Sequence, residues 1–246
     1  MGYAQVEAAG KPTMAGERWR QINSRLARTV AATGLACLFA PPSTSTARAS
    51  NLDERRQNFG ALVAPAALPE GAASAYAYGG AQELAAGYRQ GVSTLELEAR
   101  AKFNYFLLSF AFEVLLKHAI AGNESWSVAP FLGLGFVHDT GSRYLRSDNF
   151  EYTGVRLLAG AVATRRVSST VSVIAELDVP LDLSFSPPQV ARWSSLVGGG
   201  AEIYLGSDFT ALLMGQLGVD YLKEPLGVPQ WSLGYQVRAG FGYRFF

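Results

Sequence analysis

An all-β fold, a transmembrane antiparallel up-and-down β-barrel of about ten strands with eight as the alternative, is what three features of this sequence predict together. From residue 81 onward apolar and polar residues alternate with period two, from residue 121 onward the connections between the segments run long and short in turn, and the last segment carries aromatic residues at both ends. Side chains of a strand point to opposite faces in succession, so alternation makes one greasy face and one polar face. The chain is 49% hydrophobic and 17% charged with a mean hydropathy of +0.10, and its apolar content is spread as alternation. No run approaches the roughly 20 apolar residues that a spanning helix needs.

Residues 1–49 read as a secretory leader. Arg18, Arg20, Arg25 and Arg28 precede the apolar run Thr29 to Ala40, and Ala47-Arg48-Ala49 supplies small residues for cleavage before Ser50. Met14 serves as well as Met1 for a start, and Gly34-Leu35-Ala36 fits poorly as a lipidation signal before Cys37. Cleavage removes Lys11, Arg48 and the four leader arginines against only Glu7 and Glu17, which leaves a mildly acidic chain without cysteine. That balance argues against nucleic acid as a partner and rules out disulfides as the source of stability. Residues 50–56, with Asp53, Glu54, Arg55 and Arg56, are too charged for a bilayer and form a periplasmic lead-in to a barrel over residues 57–246.

Phe59 to Pro65 is read as a weak first strand. Leu68 to Gly80, rich in Ala, Gly and Tyr and broken by Pro69 and Glu70, is read as a loop. In the next strand Leu84, Ala86 and Tyr88 oppose Glu83, Gly87 and Arg89, and Gln90 to Ser93 turns. Its partner sets Leu95, Leu97, Ala99, Ala101 and Phe103 against the inward charges Glu96, Glu98, Arg100 and Lys102. These cannot face lipid, where an Arg or Lys near the midplane costs about 2–4 kcal/mol, so they fix the register. Asn104 and Tyr105 then turn the chain into Phe106 to Lys117, with Glu113 and Lys117 inward. Without that turn one strand would run far beyond the ~9–11 residues that cross a membrane, and the count would fall to eight.

Further along, Ala121 to Ser125 turns into Trp126 to Phe136, and His138 to Asn149 is a long polar loop. Phe150 to Ala163 carries Arg156 inward, and Thr164 to Ser168 turns. Val171 to Val179 places Glu176 and Asp178 inward, before the Pro-containing loop Leu183 to Ser194. Val197 to Leu205 carries Glu202 inward, Gly206 to Asp208 turns, and the strand through Ala211 to Tyr221 carries Gln216 and Asp220 inward. Lys223 to Gln230 is the last loop. Short turns on the periplasmic side and longer ones outside fit this order, with both termini periplasmic.

In the final stretch Trp231, Leu233, Tyr235, Val237, Ala239, Phe241, Tyr243 and Phe245 share one face, with aromatic residues near both ends as two membrane interfaces require. Arg238, Gly240, Tyr243 and Phe245 resemble the C-terminal signal of bacterial outer-membrane β-barrel proteins. The resemblance implies an outer-membrane location and recognition by the barrel-assembly machinery. Phe246 stands one residue beyond the usual final aromatic and leaves open which Phe is the anchor.

The lumen face mixes both signs: Glu83, Arg89, Glu96, Glu98, Arg100, Lys102, Glu113, Lys117, Arg156, Glu176, Asp178, Glu202, Asp220, Arg238 and Arg244. Eight to ten strands enclose a space about wide enough for side chains, and unpaired charges there are costly, so these groups are expected to pair across the interior. The leading expectation is a small barrel with a charge-filled lumen and a structural or surface-interaction role. A narrow polar channel is the alternative. An outer-membrane lipid-modifying enzyme comes third. It rests on His118 and His138 alone; His138 neighbours Asp139 and Ser142, but adjacent residues point apart. For surface binding to lipopolysaccharide or a partner, the candidates are Arg143, Tyr144, Arg146, Arg192 and Trp193. Gly198-Gly199-Gly200 reads as a bend or a close approach. No motif asks for a cofactor or a metal, and a monomer is expected.

Overall fold

The computed structural model describes residues 60–246 apart from 124, 145–148, 186–188, 207, 224–228 and 246. The predicted leader and lead-in, Phe59, Arg146 and Phe246 lie outside the described residues. Eleven strands follow one another: β1 (Ala73–Ala81), β2 (Glu83–Val92), β3 (Leu95–Asn104), β4 (Ser109–His118), β5 (Ala121–Gly122), β6 (Trp126–Thr140), β7 (Glu151–Arg166), β8 (Val171–Ser184), β9 (Ala191–Tyr204), β10 (Phe209–Lys223) and β11 (Pro229–Phe245). Sequence neighbours pair antiparallel except β4 and β5, the two-residue β5 pairs with β6 alone, β4 pairs with β6, and β1 pairs with β11. The result is a closed up-and-down barrel of ten staves, and closure leaves no edge unpaired.

The predicted count is right, but its first member is corrected. Of the predicted strand Phe59 to Pro65, the described residues 60–65 form no stave, and the stretch read as a loop from Leu68 to Gly80 contains most of β1. Its pattern is inverted. Tyr76 and Tyr78 point inward and are buried, while alanines and a glycine take the lipid side, so a search for a greasy outer face passes it over. The Tyr78 hydroxyl donates to Glu83 Oε1 at 2.7 Å and that of Tyr76 donates to Glu98, which gives the aromatic rings their reason to face a polar lumen. Tyr76 lies over Gly87, where any Cβ would strike its ring.

The turn at Asn104 is present. Its side-chain oxygen accepts the N–H groups of Phe106 and Leu107, both at 3.0 Å, and Leu108 completes the turn with φ +52°. The β1–β2 link is Gln82 alone, at φ +83°. Tyr105 braces this strained residue: Gln82 N–H donates to the Tyr105 hydroxyl, Tyr105 N–H donates back to the Gln82 carbonyl, and the hydroxyl donates to the Gly80 carbonyl.

The two long loops are shorter than predicted. β6 continues to Thr140 and β9 starts at Ala191, so His138, Asp139, Arg192 and Trp193 belong to the ladder. Polar residues above the bilayer are free to extend a paired strand, and loop-like composition alone does not stop pairing. Outward residues form a continuous apolar band, with Leu134, Leu233 and Phe241 each more than 60% exposed, whereas Glu96, Glu113 and Glu202 are buried. A band this extensive far exceeds the apolar patches of soluble monomers and suits lipid. Trp193, Tyr221 and Trp231 pack together near one end of the barrel, and Phe209, Tyr243, Phe245 and Tyr88 near the other, as two aromatic girdles. Of the assembly-signal residues, Arg238 and Gly240 face the lumen and Tyr243 and Phe245 face out.

Candidate functional site

The lumen is the one region where polar chemistry is concentrated, and alternation of side chains along the staves puts it there. All fifteen predicted lumen residues point inward, and the structure distributes them unevenly. On β2–β4 they form a connected network. Arg89 grips Glu96 through two bonds of 2.8 Å, and Lys117 reaches Glu96 at 3.0 Å and Glu98 at 2.6 Å. Arg100 pairs with Glu113, and Lys102 lies 3.6 Å from Glu113 and 3.8 Å from Glu83. These strands hold four inward residues of each sign, so they neutralise one another without help from the rest of the barrel.

Two arginines cross the lumen. Arg156 on β7 reaches Glu113 at 3.0 Å and holds Asp182 of β8 through bonds of 2.6 and 2.7 Å. Arg238 on β11 reaches Glu176 at 3.2 Å, Asp178 at 3.7 Å and Glu83 at 3.8 Å, with its guanidinium over the Tyr78 ring. Each takes carboxylates from separate staves, Arg156 from β4 and β8 and Arg238 from β2 and β8, which links staves that do not pair directly. Arg244 is buried on the inner face of β11 near the terminus end.

Glu202 departs from the expectation of charge pairing. Its two carboxylate oxygens accept four consecutive backbone N–H groups, those of Ala61, Leu62, Val63 and Ala64, at 2.7 to 2.9 Å. Successive amides aimed at one anion form a nest, whose partial positive charge replaces a basic side chain. The segment 60–68, part of which was predicted as a strand, therefore lies inside the barrel as a lid across the end where the described chain starts and β11 finishes. Ser127 Oγ accepts Ala66 N–H, Glu96 accepts Leu68 N–H, and Arg89 donates to the carbonyls of Val63 and Pro65. Ser74 donates to the Ala61 carbonyl. Six staves thus hold one short piece of main chain, and Ala61, Leu62, Ala64, Ala66 and Leu68 are buried. Gly242 gives the lid room, since a Cβ there would press on Ala61.

Above the lid a cavity of about 30 Å³ lies among Leu62, Tyr76, Glu98, Phe131 and Arg238. Nearer the loop end a larger one of about 90 Å³ is lined by Lys102, Tyr152, Arg156, Asp182, Arg192 and Asp220. Arg192, predicted as a surface-loop residue, faces this vestibule and lies 3.7 Å from Asp220. Trp193, its neighbour, points outward into the girdle. Arg143 and Tyr144 do occupy the connection after β6. Arg143 donates to the Asn149 carbonyl and stacks over Phe150, while Tyr144 is 88% exposed. His138 approaches Thr153 Oγ1 at 2.9 Å, whereas Asp139 turns inward and accepts Gly141 N–H and the Asn149 amide, so the two point to opposite faces.

Sequence reasoning placed Tyr152 inward and missed Asp182, Asp139, Tyr76 and Tyr78 as lumen groups. Tyr152 donates to Asp182 at 2.9 Å. The inward row of β8 (172, 174, 176, 178) continued by two more steps would have found Asp182.

No protein-family description matches this sequence and no curated protein does. Among solved structures, the chain is similar to one described as "KdgM porin in complex with disordered oligogalacturonate", at a TM-score of 0.35 and 10% identity, covering 71% of this chain and 99% of that one. It is also similar to a NanC porin structure, at a TM-score of 0.32 and 10% identity with the same coverages. At these scores neither bears on what this barrel carries.

Proposed function

We propose that this protein is a narrow polar conduit across the bacterial outer membrane, closed at its periplasmic end by the lid 60–68. The supporting observation is that the lumen accommodates main chain. Eight strands enclose little more than their own side chains, and here a ten-stave barrel holds a polypeptide segment in addition. A lumen vacated by that segment has the bore of a peptide, walls where charged and hydroxyl groups alternate with the apolar Leu115, Phe131, Ile174 and Met214, and a vestibule at its far end. The lid is held by burial of Leu62 and Ala66 in the apolar cluster and by hydrogen bonds to its backbone, each worth about 0.5–1.5 kcal/mol net, or about 1.5–3 kcal/mol to a charged group. Such bonds release one by one.

The girdles and the apolar band support the membrane setting, and the terminal residues through Phe245 support delivery by the barrel-assembly machinery. On this reading Arg143 and the exposed Tyr144 meet lipopolysaccharide at the outer rim, and the barrel acts as a monomer. The density of ion pairs on β2–β4 favours a second reading, a permanently filled barrel with a structural or surface role.

Single-channel recording separates the two. The wild-type barrel in a planar bilayer is expected to open rarely. Leu62→Pro, which deletes one donor to Glu202, and Glu202→Ala, which deletes the acceptor of four, are each expected to raise the open fraction at least tenfold. Folded variants that remain as silent as the wild type would establish the filled barrel instead.

A further inference from the structure

The inner face of β8–β10 carries Glu202, Glu176, Asp178, Asp182 and Asp220, and Arg192 is its one inward basic residue. The pairing register places these carboxylates at successive levels from the lid to the vestibule. Glu202 lies opposite Ser172, Glu176 opposite Gly198, Asp178 opposite Leu196, and Asp220 opposite Ser194. Between β8 and β10, Gly198 and Gly200 present no side chain, so the acidic groups border a bare strip of backbone. The facing wall is neutral and occupied with its own pairs.

Two observations on this strip point to an absent polar occupant. Asp178 Oδ1 is buried without a hydrogen-bond partner. Gln216, 2% exposed and level with Glu176 across Gly198, has neither its amide nitrogen nor its amide oxygen bonded. A buried polar group left unpaired costs about 1–3 kcal/mol, so acceptors of this kind are expected to meet water or a cation.

We propose that the open conduit selects small monovalent cations, and that the β8–β10 strip is the path they follow. This rests on the conduit reading above. When the lid leaves, Glu202 loses the four amides that neutralise it and becomes a bare carboxylate at the periplasmic mouth. The strip then presents acceptors at the mouth and again from Glu176 to the vestibule, with Ile174 and Met214 flanking Gly200 between them. Glu176 and Asp178 keep Arg238, Asp182 keeps Arg156 and Asp220 keeps Arg192, so the bare Glu202 carboxylate supplies the negative excess, and a cleft with such an excess concentrates counter-ions by roughly tenfold. Among the described residues no three carboxylate or imidazole groups converge as for a bound metal, so the ion is passed on rather than retained.

The test is the reversal potential of full-length Leu62→Pro, which keeps every lumen carboxylate, in a tenfold KCl gradient. A potassium-to-chloride permeability ratio of about ten is expected. Asp178→Asn in the same background is expected to lower that ratio at least twofold. A conducting barrel with a ratio of one or below overturns the cation path and leaves the conduit standing. A folded but silent Leu62→Pro overturns the conduit and the cation path with it. If Leu62→Pro does not fold, the rare wild-type openings in the same gradient give the same ratio and decide in the same way.

Discussion

The β2–β4 wall and the β8–β10 wall come from strands with the same alternation, yet they solve the problem of inward polarity in opposite ways. β2, β3 and β4 are each ten residues long, joined by tight turns, and balance every inward charge with a neighbour 2.6 to 3.9 Å away. The β8–β10 strands run to 14 or 15 residues, bare themselves with glycine, and borrow their counter-charges from Arg238, Arg156 and the lid amides. A wall that is satisfied within itself fixes register and resists water. One satisfied only by what lies opposite depends on partners that move. The lid belongs to both: Arg89 and Glu96 hold it on the first wall and Glu202 on the other.

The comparison breaks most severely if Glu113 is removed. It is buried and serves Arg100, Lys102 and Arg156 together, so Glu113→Ala leaves several cations uncompensated. A loss of about 3–5 kcal/mol is expected, read as the urea midpoint of the barrel in micelles by its heat-modifiable gel shift. A loss under 1 kcal/mol would mean that the β2–β4 network is solvated and does not set the register.

Glycine sharpens the contrast on the other wall. A Cβ on Gly198 would run into the β10 backbone at Gly215, while one on Gly215, facing outward, meets only the Gln236 carbonyl at 3.9 Å. Gly198→Val is expected to cost about 1–3 kcal/mol as an overpacked site. Gly215→Val is expected to stay within about 0.5 kcal/mol of wild type in the same unfolding assay, as a lipid-facing change without strain. Equal losses would show that the bare strip is incidental.

The smallest effect is expected at the vestibule. Arg192 is partly solvated and lies 3.7 Å from Asp220, so Arg192→Ala should change stability by at most about 1 kcal/mol. Its effect should appear as a larger preference for potassium over chloride. A stability loss as large as that of Glu113→Ala would place Arg192 in the structural network.

Sequence alternation made the staves from β2 onward legible, because lipid on one side and charge on the other leave a period-two signal that no helix shares. It failed where the signal was inverted or absent. β1 hides its tyrosines in the lumen and shows alanine to the lipid. The lid, Ala-Leu-Val-Ala-Pro-Ala-Ala-Leu, is apolar enough to pass for a strand, yet its backbone is used as an anion nest. Asp182 was lost because Pro180 interrupts the β8–β9 ladder and looks like the end of the strand. Inward charge was readable residue by residue. Which charge meets which was not, because Arg156 and Arg238 choose partners two or three staves away, and the reach of Arg238 to Glu83 on β2 exists only once β1 and β11 close the barrel.

The central claim is that a displaceable lid closes a conduit, and a tether tests it most directly. Ala61→Cys with Gly242→Cys joins two positions whose side chains would touch, in a chain whose single native cysteine, Cys37, is replaced by Ser. Oxidised, this barrel is expected to show no single-channel openings, and reduction in the same bilayer is expected to bring them back. Equal currents in the oxidised and reduced states would contradict the account.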